Sequence, residues 1–386
     1  MRHAPKLKAS RRPPPTGSFR NVGKGRSYPV MSLDELRSQI DRLDDQILTL
    51  LVNRAELVHQ IGQLKKDAGL EIYSPEREEQ LLQTLVERNK GRLQPQSIRA
   101  VYREIMSASI AVEKSIAIAY LGPEATWTHQ AAREKFGASV QYLPQSNIGE
   151  VFEAVSRRAA DYGVVPVENS TEGAVVHTLD MFMDFDLQIC AQLLLKIENH
   201  LLGRGPRESI TRLYSHPQVF GQCREWLRRE MPTVEKLEVS STTRAAELAS
   251  QEPGAAALAG RMAAEVYNLP ILARAVQDRP DNTTRFLIIG HQSCPRTGHD
   301  RTSLMFGLRD QPGALFAALS PFQELKISLT KIESRPSRRK AWEYFFFVDM
   351  EGHQEDEKVV AAVAQLRQHC GVVKILGSYP AVDRLS

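Results

Sequence analysis

The sequence predicts a multidomain protein: an all-α module first, then an α/β module of open sheets, then a small α+β module with the order βαββαβ. Three observations predict it. The chain has 386 residues, more than one ordinary core organises. Its apolar residues first recur with a helical period, between positions 33 and 64. From Ile116 short apolar runs alternate with polar loops and helical stretches, and beyond Asp300 the order of those runs changes again.

Composition narrows the class. The chain is 42% hydrophobic and 25% charged, as in soluble globular proteins, and no uninterrupted apolar run nears the roughly 18 residues of a membrane span. A cytoplasmic protein without membrane or nucleic-acid partners is expected. Cys190, Cys223, Cys294 and Cys370 lie far apart, without the spacing of a disulfide framework or a zinc site, so no metal is expected. Residues 1–30 carry eight Lys or Arg and no acid, so the net charge of +4 becomes −4 for the remainder. This Pro- and Arg-rich stretch is expected to be a disordered basic extension. Three origins stay open: a transit peptide, a nucleic-acid-binding tail, or sequence ahead of a translation start at Met31.

The helical module is expected over 31–114. Ser32 and Glu35 form a capping box, and apolar residues follow at 33, 36, 40, 43, 47, 50, 51, 57, 58, 61 and 64. A helix to about Lys66 would extend roughly 50 Å, more than a small monomeric domain covers, so it needs a partner. A second helix opens at Ser74-Pro75-Glu76 and a third near Pro95, running to about Lys114. Arg54 and Lys65, eleven residues apart, point within about 20° of each other. Ser109 and Glu113 stand at i, i+4 on the third helix, and Arg77 and Glu78 lie just inside the second.

The α/β module is expected over 115–292. Its strands are Ile116–Tyr120, Tyr162–Val167, Leu213–Tyr214, Leu237–Val239 and Ala255–Leu258, each followed by a loop of Gly, Ser, Thr or Asn. Open sheets place a ligand cleft at such strand ends, and hydroxyls with helix N-termini there favour an anion. The last module, over 301–380, reads as strand 303–308, helix 314–325, strand 327–333, strand 342–350, helix 356–369 and strand 372–379, a ferredoxin-like order.

Over 33–114, Leu36-Arg37, Leu51-x-x-Arg54, Gly62-x-x-Lys65, Pro75-Glu76-Arg77-Glu78 and Ser109-x-x-x-Glu113 resemble the AroQ-type chorismate mutases. The resemblance implies Arg37 and Arg54 on the carboxylates of chorismate, Lys65 and Glu113 on its ether oxygen and Glu78 on its hydroxyl. Ser74 and Ser109 would be further contacts. Ser74 departs from the Asp often found in the family, and Glu113 from the Gln of enteric homologues. A Claisen rearrangement needs no nucleophile or base; it needs a folded substrate and fixed donors on the breaking C–O bond. Arg37 precedes Arg54 by seventeen residues, a rotation of about 260°, so one straight helix cannot aim both at one substrate. An intertwined homodimer with shared sites is expected, as in the family it resembles.

Over 116–290, Gly122-Pro123-Glu124-Ala125-Thr126, Val165-Pro166-Val167-Glu168-Asn169-Ser170, Ser215-His216-Pro217-Gln218 and Asn282-Thr283-Thr284-Arg285-Phe286 resemble prephenate dehydratase. The implied fold has two lobes like a periplasmic binding protein, with the site in the cleft between them. By resemblance Thr284 stands at the leaving hydroxyl and Arg285 anchors a carboxylate, with Glu168 and Asn169 completing the network. Glu168 also reads as an acid stationed near a helix start. Gln218 and Gln222 are further candidate binders, and His216 reads as structural.

Gln311-Pro312-Gly313-Ala314-Leu315, preceded by Asp310, and Glu333-Ser334-Arg335-Pro336 resemble the paired phenylalanine-binding motifs of ACT domains. The implied effector residues are Gly313, Ala314, Leu315, Glu333, Ser334, Arg335 and Pro336. Together the resemblances imply a cofactor-free enzyme of phenylalanine biosynthesis that acts on chorismate and prephenate and is regulated by L-phenylalanine. Two rivals are a non-catalytic sensor, which predicts an output module such as a helix-turn-helix that the sequence does not show, and an enzyme whose mutase module serves dimerisation alone.

Overall fold

The computed structural model describes residues 31–68, 73–308, 311–336 and 344–382. The basic extension, Asp310 and the expected strand start at Trp342 lie outside these residues. The chain divides after Asn53 into two compact units, each described by itself.

Helix α1 (Leu33–Asp67) runs through this division. Its start has the predicted chemistry: Ser32 N–H donates to Glu35 Oε2 at 2.7 Å, and Glu35 N–H to Ser32 Oγ at 3.2 Å. Of its 35 residues Gly62 is the buried one. Leu36, Ile40, Leu43 and Ile47 are exposed on its first half, as are Leu57, Ile61 and Leu64 on its second. An apolar stripe of this length is a face waiting for cover.

Helices α2 (Pro75–Arg88) and α3 (Pro95–Glu113) each open with Pro in the first turn. Their packing buries Leu82 and Ile98. The other side of α3 meets the α/β module, where Ser139 N–H donates to Ser107 Oγ at 3.0 Å and Ala138 N–H to Glu104 Oε2 at 3.0 Å.

The first α/β lobe consists of β1 (Ala117–Leu121), α4 (Trp127–Phe136), β2 (Gln141–Gln145), α5 (Ile148–Ser156), β3 (Tyr162–Asn169), β4 (Gly173–Ala174), α6 (Val176–Asp184) and β5 (Gln188–Lys196). The second contains β6 (His200–Gly203), β7 (Arg212–Ser215), α7 (Pro217–Gln222), α8 (Arg224–Glu230), β8 (Glu235–Glu238), α9 (Thr242–Gln251), β9 (Ala255–Ala259), α10 (Arg261–Val266) and β10 (Ile271–Ala273). The chain then returns: β11 (Thr283–Gly290) inserts between β3 and β5, giving the order β2-β1-β3-β11-β5, while the second sheet runs β10-β6-β9-β7-β8. Two antiparallel crossings therefore lie side by side between the lobes, with Ile197 N–H on the Asn282 carbonyl at 2.8 Å. The thiols of Cys190, Cys223 and Cys294 are buried.

The last module has β12 (Asp300–Leu308), α11 (Ala314–Glu324), β13 (Leu329–Pro336), β14 (Tyr344–Glu351), α12 (Glu357–His369) and β15 (Val372–Pro380), in the predicted βαββαβ order. Its sheet, β13-β14-β12-β15, is antiparallel throughout. It meets the first lobe backbone to backbone at Gly377 (φ +144°), where a Cβ would fall 2.3 Å from the Ile189 carbonyl oxygen. Among the described residues no helix is long and apolar enough to cross a membrane.

Candidate active sites

One site is an open cleft between the two α/β lobes. Strand β11 brings Thr284 and Phe286 to one wall, two residues apart on one face. Across from them β3 contributes Pro166 and Asn169, three residues apart. That spacing is possible because the register shifts: Thr284 pairs with Asn169 and Arg285 with Glu168, but Phe286 pairs with Pro166, so Val167 is an extra residue. The bulge turns Asn169 back into the cleft.

Asn169 Nδ2 donates to Thr284 Oγ1 and to Asn282 Oδ1, each at 2.8 Å. Its Oδ1 accepts from the Thr171 N–H at 2.9 Å and the Thr171 hydroxyl at 2.6 Å, which fixes the amide's orientation. Thr284 Oγ1 is thus an acceptor toward Asn169, and its own proton points away from that bond. The group is a positioned donor at the cleft wall.

No lysine or arginine lines this cleft among the described residues. Glu172 is the acid among the lining residues, and the groups that could meet an anion are backbone N–H donors. The Thr126 side chain caps α4 by accepting from His129 N–H, and Ser241 caps α9 by accepting from Arg244 N–H. The next N–H groups of each first turn have no helical acceptor. Trp127 and Thr128 line the cleft from one lobe, Ser240 and Thr242 from the other. Two helix N-termini on opposing lobes suit a ligand with two anionic ends. Sequence reasoning anticipated anion-binding loops but did not single out these four residues; the polar runs after β1 and β8 were the signal.

Two expected cleft residues are elsewhere. Arg285 points to the opposite face of the sheet and is buried, donating from Nε to Gln192 Oε1 at 2.8 Å, from Nη1 to Asp349 Oδ2 at 2.6 Å and from Nη2 to the Tyr379 hydroxyl at 2.8 Å. The expectation that it anchors a substrate carboxylate is corrected: its neighbour Thr284 takes the cleft side, and adjacent strand residues face opposite ways. Glu168 follows it, forming an ion pair with Lys331 at 2.9 Å and lying 3.9 Å from Arg285. Gln222 spans the lobes, donating to Glu172 at 3.1 Å, and Gln218 lines the wall.

In the helical module Arg54 donates to Ser109 Oγ, which donates in turn to the Ile105 carbonyl at 2.7 Å. Glu113 packs on Gly62, where a Cβ would come within 2.9 Å of its Cγ. Burial pushes the Glu113 carboxyl up from its ordinary value, while Lys65 and Arg54 pull the other way. Four expected residues therefore converge: Arg54, Lys65, Ser109 and Glu113. Glu78 and Ser74 have other partners here. Glu78 forms an ion pair with Lys135 of α4 at 3.2 Å, and Ser74 bonds to Glu76. With these partners, the start of α2 lies against the α/β module. Arg37 sits on the exposed first half of α1, 3.5 Å from Asp34.

At the expected effector motifs, Gly313 adopts a left-handed φ of +82° at the N-cap of α11, a conformation that suits glycine. Ala314 and Leu315 are partly buried behind it, and Ser334 and Pro336 are exposed on β13. Glu333 and Arg335 are half-buried. Arg335 forks onto Asp180 of α6, at 3.0 and 3.3 Å, so its guanidinium reads the first lobe and not an open effector surface.

Comparison with known proteins finds three families in succession along the chain. The family profile for chorismate mutase type II matches residues 36–114, that for prephenate dehydratase residues 118–294, and that for the ACT domain residues 302–368. A bifunctional chorismate mutase/prephenate dehydratase of Aquifex aeolicus is 48% identical over 353 residues, covering 90% of this chain and 98% of that protein. One of Pseudomonas aeruginosa is 44% identical over 355 residues, covering 90% and 97%. The crystal structure of prephenate dehydratase in complex with L-Phe from Arthrobacter aurescens superposes with a TM-score of 0.64 at 33% identity, covering 69% of this chain and 91% of that one.

Proposed function

We infer that this chain, which belongs to the family of bifunctional chorismate mutase/prephenate dehydratases, converts chorismate to prephenate and prephenate to phenylpyruvate, carbon dioxide and water. The single observation that carries the second activity is the Asn282–Asn169–Thr284 chain at the wall of a cleft whose positive poles are helix N-termini. Loss of the ring hydroxyl with decarboxylation is driven by aromatisation. Thr284 donates a polarised hydrogen bond to the departing oxygen and relays to it a proton taken up from solvent, so that water leaves and the hydroxyl is restored, while Asn169 holds its Oγ. The N-termini of α4 and α9 hold the two carboxylates of prephenate.

For the first activity, Arg54 binds a carboxylate of chorismate, and Lys65 and a protonated Glu113 stabilise negative charge on the breaking ether oxygen. The long uncovered stripe of α1 supports a homodimer in which Arg37 enters the partner's site and Ser74 and Glu78 are drawn toward substrate. The modules divide at 31–114, 115–292 and 301–380. L-phenylalanine binds the last of them at the Gly313–Leu315 loop and the Glu333–Pro336 strand, and the protein works in the cytoplasm. The test supplies chorismate to the purified chain and follows prephenate and phenylpyruvate, with and without phenylalanine. Accumulation of neither product would overturn the reading.

A further inference from the structure

One wall of the cleft stands on a turn that a buried side chain holds from behind. The turn joins β1 to α4, and around it Leu121, Gly122, Thr126, Trp127 and Thr128 line the cleft. Within it Ala125 has a left-handed φ of +65°, a conformation that persists in a residue with a Cβ where its surroundings over-determine it. His129, in the first turn of α4, supplies that constraint. Its Nδ1 accepts from the Ala125 N–H at 3.1 Å, and its own backbone N–H donates to Thr126 Oγ1 at 3.3 Å. The Thr126 hydroxyl donates in turn to the Leu121 carbonyl at 3.0 Å. The imidazole is buried, stacked on Tyr120 of β1 at 4.6 Å and edge-on to Tyr142 of β2.

An N–H aimed at Nδ1 needs a lone pair there, so the ring is neutral and its proton sits on Nε2. Burial favours that form and holds the ring below the ordinary histidine value; Glu124 in the turn pulls the other way, and Arg133 on α4 adds to the effect of burial. Burial pushes the phenols of Tyr120 and Tyr142 up, away from neutral pH.

We propose that neutral His129 is a positioning residue for the dehydratase reaction: it holds the Leu121–Thr128 wall in its binding form, and prephenate binding weakens when the imidazole takes up a proton. The inference rests on the dehydratase reading above. A proton on Nδ1 sets donor against donor at Ala125, so the turn gives way. Full affinity is therefore present above the His129 pKa and lost as pH falls through it, below the ordinary value of 6.5. Thr284 lies on another strand and is untouched, so the loss is in KM and not in kcat.

The experiment uses the full chain and measures kcat and KM on prephenate from about pH 8 down to about pH 5, with the uncatalysed rate subtracted. Mutase activity of the same samples at one fixed pH reports on folding. Wild-type KM should rise about tenfold across that span, with kcat within about threefold. His129→Asn puts Oδ1 close to where Nδ1 was and takes up no proton, so its KM should stay near the wild-type value at high pH throughout. His129→Leu removes the acceptor and should show KM raised about tenfold at every pH. Should one variant fail to fold, the other and the wild-type profile decide. A flat wild-type KM, an unchanged KM in His129→Leu, or a KM rise at low pH that persists in His129→Asn would overturn the proposal; the last result would assign the titration to His216 or Glu172, which line the cleft. A wild-type chain inert on prephenate at every pH would overturn the dehydratase reading, and this inference with it.

Discussion

Replacing Thr284 by Val is the sharpest single perturbation of the cleft. Valine keeps the branched shape that suits β11, so the wall stays packed and only the hydroxyl is lost. Two effects then separate. Asn169 Nδ2 loses one of its two acceptors but keeps Asn282 Oδ1 at 2.8 Å, so stability falls by about 1 kcal/mol. The reaction loses its positioned proton donor, a contribution of about 10²- to 10⁴-fold, or roughly 3–5 kcal/mol on the barrier. In the proposed mechanism binding is carried by the helix N-termini, which the change does not touch. The expected result is a kcat for phenylpyruvate formation lower by 10²- to 10⁴-fold, with KM and mutase activity within about threefold. Thr284→Ser, which retains a hydroxyl, should keep activity within about tenfold. The assay is phenylpyruvate release from prephenate, run beside prephenate formation from chorismate. A Thr284→Val enzyme within twofold of wild type would remove this hydroxyl from the mechanism.

Four further outcomes follow from the geometry. The Glu113 carboxyl, raised by burial, donates to an ether oxygen only when protonated, so wild-type mutase activity is full below its pKa and falls as pH rises through it; Glu113→Gln should lack that limb, and matching pH profiles would refute the role. Refolding Arg37→Ala and Arg54→Ala chains together should restore about a quarter of mutase activity, because half the dimers are mixed and each holds one intact site. Verified mixed dimers without recovery would place each site within one chain. Gly313→Val forces a branched residue into a left-handed conformation at the effector loop, and should raise the phenylalanine concentration for half-inhibition at least about tenfold with catalysis retained; unchanged inhibition moves the effector elsewhere. Gly377→Ala sets a Cβ against the Ile189 backbone, costing about 2–4 kcal/mol and lowering the thermal transition by roughly 5–15 °C; a shift below 1 °C, measured calorimetrically, would show that the junction yields freely.

Local chemistry made much of this legible in advance. The Ser32–Glu35 capping box, the Pro75 and Pro95 helix starts and the βαββαβ order all depend on residues near one another in sequence, and each is present as expected. Thr284 and Asn169 were readable as a pair because each stands in a specific motif. Arg285 and Glu168 were misplaced for a different reason. Alternation says that neighbours on a strand face opposite ways, but not what waits behind the sheet; that is decided by Asp349, Tyr379 and Lys331, more than 40 residues further along. Arg335 and Glu78 repeat the lesson. Their partners, Asp180 and Lys135, belong to another module, and no local pattern announces a contact between modules.

With prephenate bound as proposed, a cleft that has no lysine or arginine among its described lining residues has a consequence for turnover. Its two positive poles are on different lobes, so a dicarboxylate ties the lobes together as long as it keeps both charges. The reaction discharges one end: a carboxylate leaves as neutral carbon dioxide, and the remaining monoanion can satisfy only one pole. Chemistry itself thus cuts the electrostatic tie between the lobes at the moment the product is made. An arginine on either wall would have kept a full charge in place and gripped the product almost as tightly as the substrate; partial charges at helix ends let go.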